Sequence, residues 1–272
     1  MRIGLLLLLP FVFFLSSCSS LLYYPSQQEF YQKRDLLYDI EELNFPDPVG
    51  NQINAWYFHA KNPKAKILFF HGNAQNLSAH FAMLSWLVDH NYDLMIFDYP
   101  GYGKSTGSPT PESTALSGVE ALKKIEGINP TLPLVVYGQS LGGQIMQKSL
   151  NLYENKNYKA VFIEASFVSY RSIAKSVVSK SWLTWVFQPL AWLLMSDKWA
   201  GDPSLISPIP VYVMHGNQDN VVSIDQGEHV FQRTKDPKYW KVFEGGGHSN
   251  SYFIKNGAYR KYLLDALEKE IK

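Results

Sequence analysis

The sequence predicts an α/β fold built on a mainly parallel sheet. Six short apolar runs, 66–70, 93–97, 132–137, 160–163, 211–214 and 239–243, mostly lack the polar alternation of a half-exposed strand. Central strands covered on both faces read this way. Between or after them lie stretches of helical character at 77–90, 111–126, 141–153, 223–233 and 251–270, and strands alternating with helices make a parallel sheet. Two of the runs end in the same tripeptide, in FFHGNAQN at 69–76 and in VMHGNQDN at 213–220. Their flanks share nothing further, so they are similar exits from two strands at one edge of the sheet, where such sheets bind ligands.

Residues 1–17 have the layout of a secretory signal: Arg2, an apolar run over 3–15, then small residues. The run is short for a membrane span. It ends in LSSC, and Cys18 is the single cysteine of the 272-residue chain, so no intramolecular disulfide is possible. Residues 18–35 are polar, with Tyr and Pro and no period, and read as a tether. Stretches 36–45 and 53–58 are strand-like and separated by the turn-rich PDPVGN. From residue 66 the pattern becomes buried strand, loop, helix, repeated to the end. One interval, 167–205, breaks it and carries four of the seven tryptophans, Trp182, Trp185, Trp192 and Trp199. The globular part is thus 36–272, with 167–205 as an insertion.

Between the two HGN exits lies VVYGQSLGGQ, in which Gly138-Gln139-Ser140-Leu141-Gly142 matches G-x-S-x-G. It follows an apolar strand and opens a helix, the context that motif requires. A sharp strand-to-helix turn holds its central serine in strained backbone, and larger flanking side chains would clash there. Ser140 is therefore the candidate nucleophile.

Here the chain resembles the α/β-hydrolase fold superfamily, through FFHGNAQN, IFDYPGYGKSTGSP, VVYGQSLGG, VMHGNQDNVV and GGGHSN. It is most similar to a membrane-associated subgroup of α/β-hydrolase-domain serine hydrolases that includes protein depalmitoylases and lysophospholipases. LSSC resembles the lipobox of bacterial lipoproteins, in which Cys18 would be lipidated and become the mature N-terminus. That implies a cell-envelope protein held to a membrane through Cys18; Ser19, where sorting for inner-membrane retention favours Asp, implies the outer membrane of a two-membrane host.

A serine hydroxyl needs a base, and the base needs a carboxylate to orient it. The chain order that the resemblance implies is Ser, acid, His. Asp219, in the second HGN exit, and His248, in GGGHSN, satisfy it after Ser140. Glu164, at another strand end, and Asp225 compete for the acid; His229 and His215 compete for the base. The resemblance assigns the oxyanion donors to the backbone amides of Leu141 and Asn73. Trp182, Trp185 and Phe187 in the insertion are candidates for an acyl-binding wall, against the plainer reading that its aromatics pack on the body.

The expected activity is hydrolysis of a carboxylic ester or thioester of a small-molecule or lipid acyl substrate, with no cofactor. A serine peptidase using the same residues, and a non-catalytic envelope binding protein, remain as alternatives. GYGKSTG at 101–107 lacks the glycine that a phosphate loop needs, since Asp98 stands there. No H-E-x-x-H or carboxylate cluster suggests a metal. The formal net charge is +1, and without a basic stripe nothing recommends nucleic acid as a partner.

Overall fold

The computed structural model describes residues 22–179, 189, 193 and 195–272. Eight strands form one sheet: β1 (Asp39–Pro46), β2 (Gln52–His59), β3 (Ala65–Phe70), β4 (Tyr92–Phe97), β5 (Leu134–Gln139), β6 (Ala160–Glu164), β7 (Val211–Gly216) and β8 (Lys238–Phe243). Their order is β1-β2-β4-β3-β5-β6-β7-β8. Only β2 runs against its neighbours, and every pairing from β4 to β8 is parallel. Every residue of β3 to β7 is buried. The sequence shows no alternation there because neither face meets water.

Adjacent residues of these strands feed opposite cores. Leu68, Val136, Ile163 and Val213 belong to one apolar cluster; Ile67, Val135, Phe162 and Tyr212 belong to the other. The first lies under α2 (Pro111–Gly127) and α3 (Leu141–Leu152), through Leu122, Ile125, Ile145 and Met146. The second lies under α6 (Ala258–Glu270), through Leu263 and Leu267, and under the segment that follows β3. Helix α2 starts where its sequence dictates, with Thr110 and Ser113 forming a capping box and Pro111 in the first turn.

Two expected helices differ. The stretch 77–90 is one helical turn, α1 (Leu77–His80), followed by 3₁₀ turns over Phe81–Met83 and Ser85–His90. Phe81, Met83, Leu84, Trp86, Leu87 and Val88 are all buried; a continuous α-helix would carry so dense a run round to its solvent face. The last helix begins at Ala258 rather than at 251, because Lys255, Asn256 and Gly257 take positive φ and Ser251 and Tyr252 are buried in the turn before it. Two further helices among the described residues are α4 (Tyr170–Ser179) and α5 (Ile224–Arg233). No helix among the described residues is long and apolar enough to cross a membrane.

Residues 22–30, within the stretch expected to be a tether, lie against the domain. Tyr23 is buried, and the Phe30 N–H donates to Ser78 Oγ at 2.9 Å. The start of the described chain is thus fastened to the loop after β3.

Candidate active site

Ser140 sits between the end of β5 and the first residue of α3, at φ 54° and ψ −122°, a conformation that costs a non-glycine residue energy and persists only where its surroundings impose it. Its N–H donates to the Glu164 carbonyl at 2.9 Å, and its carbonyl accepts from the Gly143 N–H at 3.0 Å. A Cβ at Gly142 would stand 2.1 Å from the Phe70 carbonyl oxygen. Glycine there lets the start of α3 lie directly on the first HGN exit.

The second HGN exit and the GGGHSN loop meet in the same way. A Cβ at Gly216 would stand 2.3 Å from the Gly246 carbonyl oxygen, and the Gln218 N–H donates to that oxygen at 2.8 Å. This contact brings Asp219 and His248 together. His248 Nδ1–H donates to Asp219 Oδ2 at 2.7 Å, and His248 Nε2 accepts from the Ser140 hydroxyl at 3.0 Å. The Asp219 side chain is fully buried, and that of His248 is 20% exposed.

Burial by itself would raise the Asp219 carboxyl. The hydrogen bonds from His215 and His248 and the backbone N–H of Val222 outweigh it and hold the group well below the usual carboxylate range. Its Oδ1 accepts from the Val221 and Val222 amides at 2.8 and 2.9 Å. A carboxylate bonded on both oxygens stays ionised and fixes the His248 proton on Nδ1, leaving Nε2 free to accept.

The competitors are engaged elsewhere. Glu164 Oε2 accepts from the Tyr137 hydroxyl, and burial pushes its carboxyl up. His215 shares its Nε2–H between the Val222 carbonyl at 2.9 Å and Asp219 Oδ2 at 3.3 Å, behind the carboxylate rather than beside Ser140. His71 donates from Nδ1 to the Gly72 carbonyl at 2.8 Å, and complete burial, with His80 nearby, pushes it well below the usual imidazole value. It is a neutral strut of the first exit. Asp225 and His229 lie in α5.

Asn73 and Leu141 both line a cavity of about 310 Å³ beside Ser140. Neither backbone N–H donates to another backbone acceptor among the described residues, as an oxyanion donor requires. The Asn73 side chain is held from several sides. Its Oδ1 accepts from the Tyr24 N–H at 3.0 Å and the Tyr102 hydroxyl at 2.8 Å, and its Nδ2 donates to the Leu22 carbonyl at 2.6 Å. The rest of the cavity is apolar: Leu22, Phe167, Ile173, Val177, Val221 and Val222, with Tyr24 at its rim.

Trp182, Trp185 and Phe187 lie outside the described residues, as does Cys18. The walls that the structure does describe were not evident in the sequence, although weak signals existed. Ile173 and Val177 are four apart on a helix, and Val221-Val222 is an apolar pair directly after Asp219-Asn220. Leu22 and Tyr24 had no signal, since nothing local distinguishes a packed arm from a tether.

The chain is similar to proteins known from sequence and from structure. It is 28% identical to the YfhR protein of Escherichia coli over 252 residues, covering 87% of this chain and 85% of that one. It is 29% identical to human alpha/beta hydrolase domain-containing protein 17B over 230 residues, covering 82% and 73%. A Pyrococcus furiosus esterase superposes with a TM-score of 0.73 at 15% identity, covering 92% of this chain and 99% of its own, so the architecture is the α/β-hydrolase fold. The Hydrolase_4 family, described as serine aminopeptidase, S33, matches residues 61–208, more than half of the sequence. The match runs from just before β3 to just before β7 and so spans the first HGN exit, the serine elbow and the insertion; the chain belongs to this family and is a hydrolase of the α/β-hydrolase fold.

Proposed function

We propose that this protein is a serine hydrolase that cleaves a carboxylic ester or thioester of an acyl substrate. The observation that carries the reading is the continuous hydrogen-bonded path Asp219–His248–Ser140 opening into an apolar cavity. Ser140 Oγ attacks the carbonyl carbon while His248 Nε2 takes its proton, and Asp219 stabilises the imidazolium that forms. The Leu141 and Asn73 amides receive the developing oxyanion; losing one such donor costs about 2.7–4 kcal/mol of transition-state stabilisation. His248 then returns the proton to the departing alcohol or thiol. Water, deprotonated by the same nitrogen, attacks the acyl-enzyme and releases the acid. No step calls on a cofactor.

The cavity's aliphatic lining suits an acyl chain, and an esterase of Pyrococcus furiosus shares the fold. The resemblance carried by the sequence motifs points to a palmitoyl-type thioester or a lysophospholipid ester. The family description favours a second reading, an aminopeptidase using the same three residues. Recognition of a free amino terminus calls for a buried carboxylate near the nucleophile, and the described cavity lining contains none.

The experiment is direct. A fluorophosphonate probe should label the wild-type protein and not Ser140→Ala. A panel of acyl esters and thioesters, run beside amino-acid amides, should show turnover of the acyl series. Faster turnover of the amides would favour the peptidase, and equal labelling of both proteins would remove Ser140 as nucleophile.

A further inference from the structure

The segment that opens the described chain does more than cover the domain. Its backbone follows the loop after β3 closely. Besides the two bonds to the Asn73 side chain, the Asn76 side-chain Nδ2 donates to the Ser26 and Gln28 carbonyls at 2.9 and 2.7 Å, and the Gly103 N–H donates to the Ser26 carbonyl at 2.9 Å. Three consecutive side chains then divide their directions. Tyr23 enters the core, where its hydroxyl meets the Tyr170 hydroxyl at 2.8 Å and Thr114 Oγ1 at 3.3 Å. Leu22 and Tyr24, on either side of it, border the cavity beside Ser140.

Tyr170 is the first residue of α4, and Ile173 and Val177 on the same helix border the cavity too. Residues three and seven positions along a helix share a face. The cavity is therefore a slot between two elements that are far apart in sequence, the N-terminal arm and α4. The Tyr23–Tyr170 bond joins them and fixes their separation.

We infer that Leu22–Tyr24 is a specificity element of the active site: Leu22 and Tyr24 form the wall that faces an acyl chain, and the arm's backbone, gripping Asn73, sets where that wall stands relative to the oxyanion donors. This rests on the acyl-hydrolase reading. Asn73's side chain is a positioning group within it, since its bonds to Leu22 and Tyr24 couple the wall to the loop whose amide faces the carbonyl.

The test is a chain-length series of p-nitrophenyl esters, acetate to dodecanoate, on the full chain and on Tyr24→Ala, Leu22→Ala and Leu22→Trp, with fluorophosphonate labelling and a melting curve for each. Removing either wall residue should lower the long-to-short ratio of kcat/KM by about tenfold, the worth of roughly two methylene contacts. Leu22→Trp, which fills the slot, should move the preferred chain to a shorter one. Tyr24 is 63% exposed, so its truncation leaves a folded protein even if the Leu22 variants are unstable. Variants that are labelled by the probe and keep the wild-type ratio overturn the inference while leaving the hydrolase reading intact. A wild type that neither labels nor cleaves any ester overturns both.

Discussion

A neutral imidazole carries one proton, and at His248 the buried Asp219 carboxylate decides which nitrogen holds it. Asp219→Asn removes that control, because the amide can also accept at its oxygen or donate from its nitrogen and so admits the wrong tautomer. Turnover should fall by about 10⁴-fold. Glu164→Gln should cost far less, since Glu164 meets Tyr137 rather than the His248 ring. Ester hydrolysis by the two variants, measured side by side, checks this, and the opposite ranking would move the acid to the end of β6. Asp98 offers a second residue-level expectation. Burial pushes its carboxyl up to about 7, against the bonds it accepts from the Leu77 and Lys104 amides. A group whose pKa is raised on folding keeps its proton in the folded state after the unfolded chain has lost it. Its contribution to stability is therefore full below the ordinary carboxylate value and is lost as pH rises towards 7. The loss is up to about 4 kcal/mol above that range. Asp98→Asn keeps the acceptor for Leu77 and removes the titration. Melting temperatures from about pH 4 to pH 8 should fall less steeply for the variant than for the wild type; parallel curves would count against the raised pKa.

Among the elements, the contact between α3 and the end of β3 is the tightest constraint on the site. Gly142→Ala would drive a methyl into the Phe70 and His71 carbonyls, and backbone cannot yield as a side-chain tip can. Overpacking of this kind costs about 1–3 kcal/mol or more. The shift would also separate Leu141 from Asn73, so fluorophosphonate labelling should slow by more than the melting temperature alone suggests. A variant that melts lower but labels at the wild-type rate would show that the two exits tolerate separation. The same contrast between local and distant constraints explains what the sequence could disclose. The six apolar runs are strands with ends moved by one or two residues, because burial on both faces leaves a strictly local mark. The serine elbow is equally local, since strand, glycine, serine and helix must be adjacent. The stretch 77–90 defeated the helical reading because its composition suits an α-helix while its dense apolar run demands tighter turns. The cavity walls come from 22–24, 167–177 and 221–222, and only folding brings them together. Periodicity cannot reveal such a neighbourhood, least of all for an arm too short to have a period.

For the molecule as a whole, the arm ties the site to whatever lies before it. Leu22 follows Cys18 by four residues, and a fully extended chain covers at most about 14 Å over that distance. If Cys18 carries lipid, the cavity wall stands within that reach of the membrane surface, and an acyl chain leaving the bilayer has little water to cross. One acyl chain holds a protein only marginally, whereas a multiply acylated cysteine anchors it stably. Metabolic labelling with a fatty acid should therefore tag the wild type and not Cys18→Ser, and in a host with two membranes the tagged protein should fractionate with the outer one. The catalytic consequence can be measured separately. Cys18→Ser leaves the arm from Leu22 onward unchanged in sequence, so its hydrolysis of soluble short-chain esters should match the wild type. On vesicles carrying a long-chain thioester or lysophospholipid it should lag, because only the anchored enzyme is concentrated at that surface. Identical rates on vesicles, with the wild type shown to be lipidated, would mean that anchoring serves location and not catalysis. A wild type recovered soluble and untagged would end the lipoprotein reading.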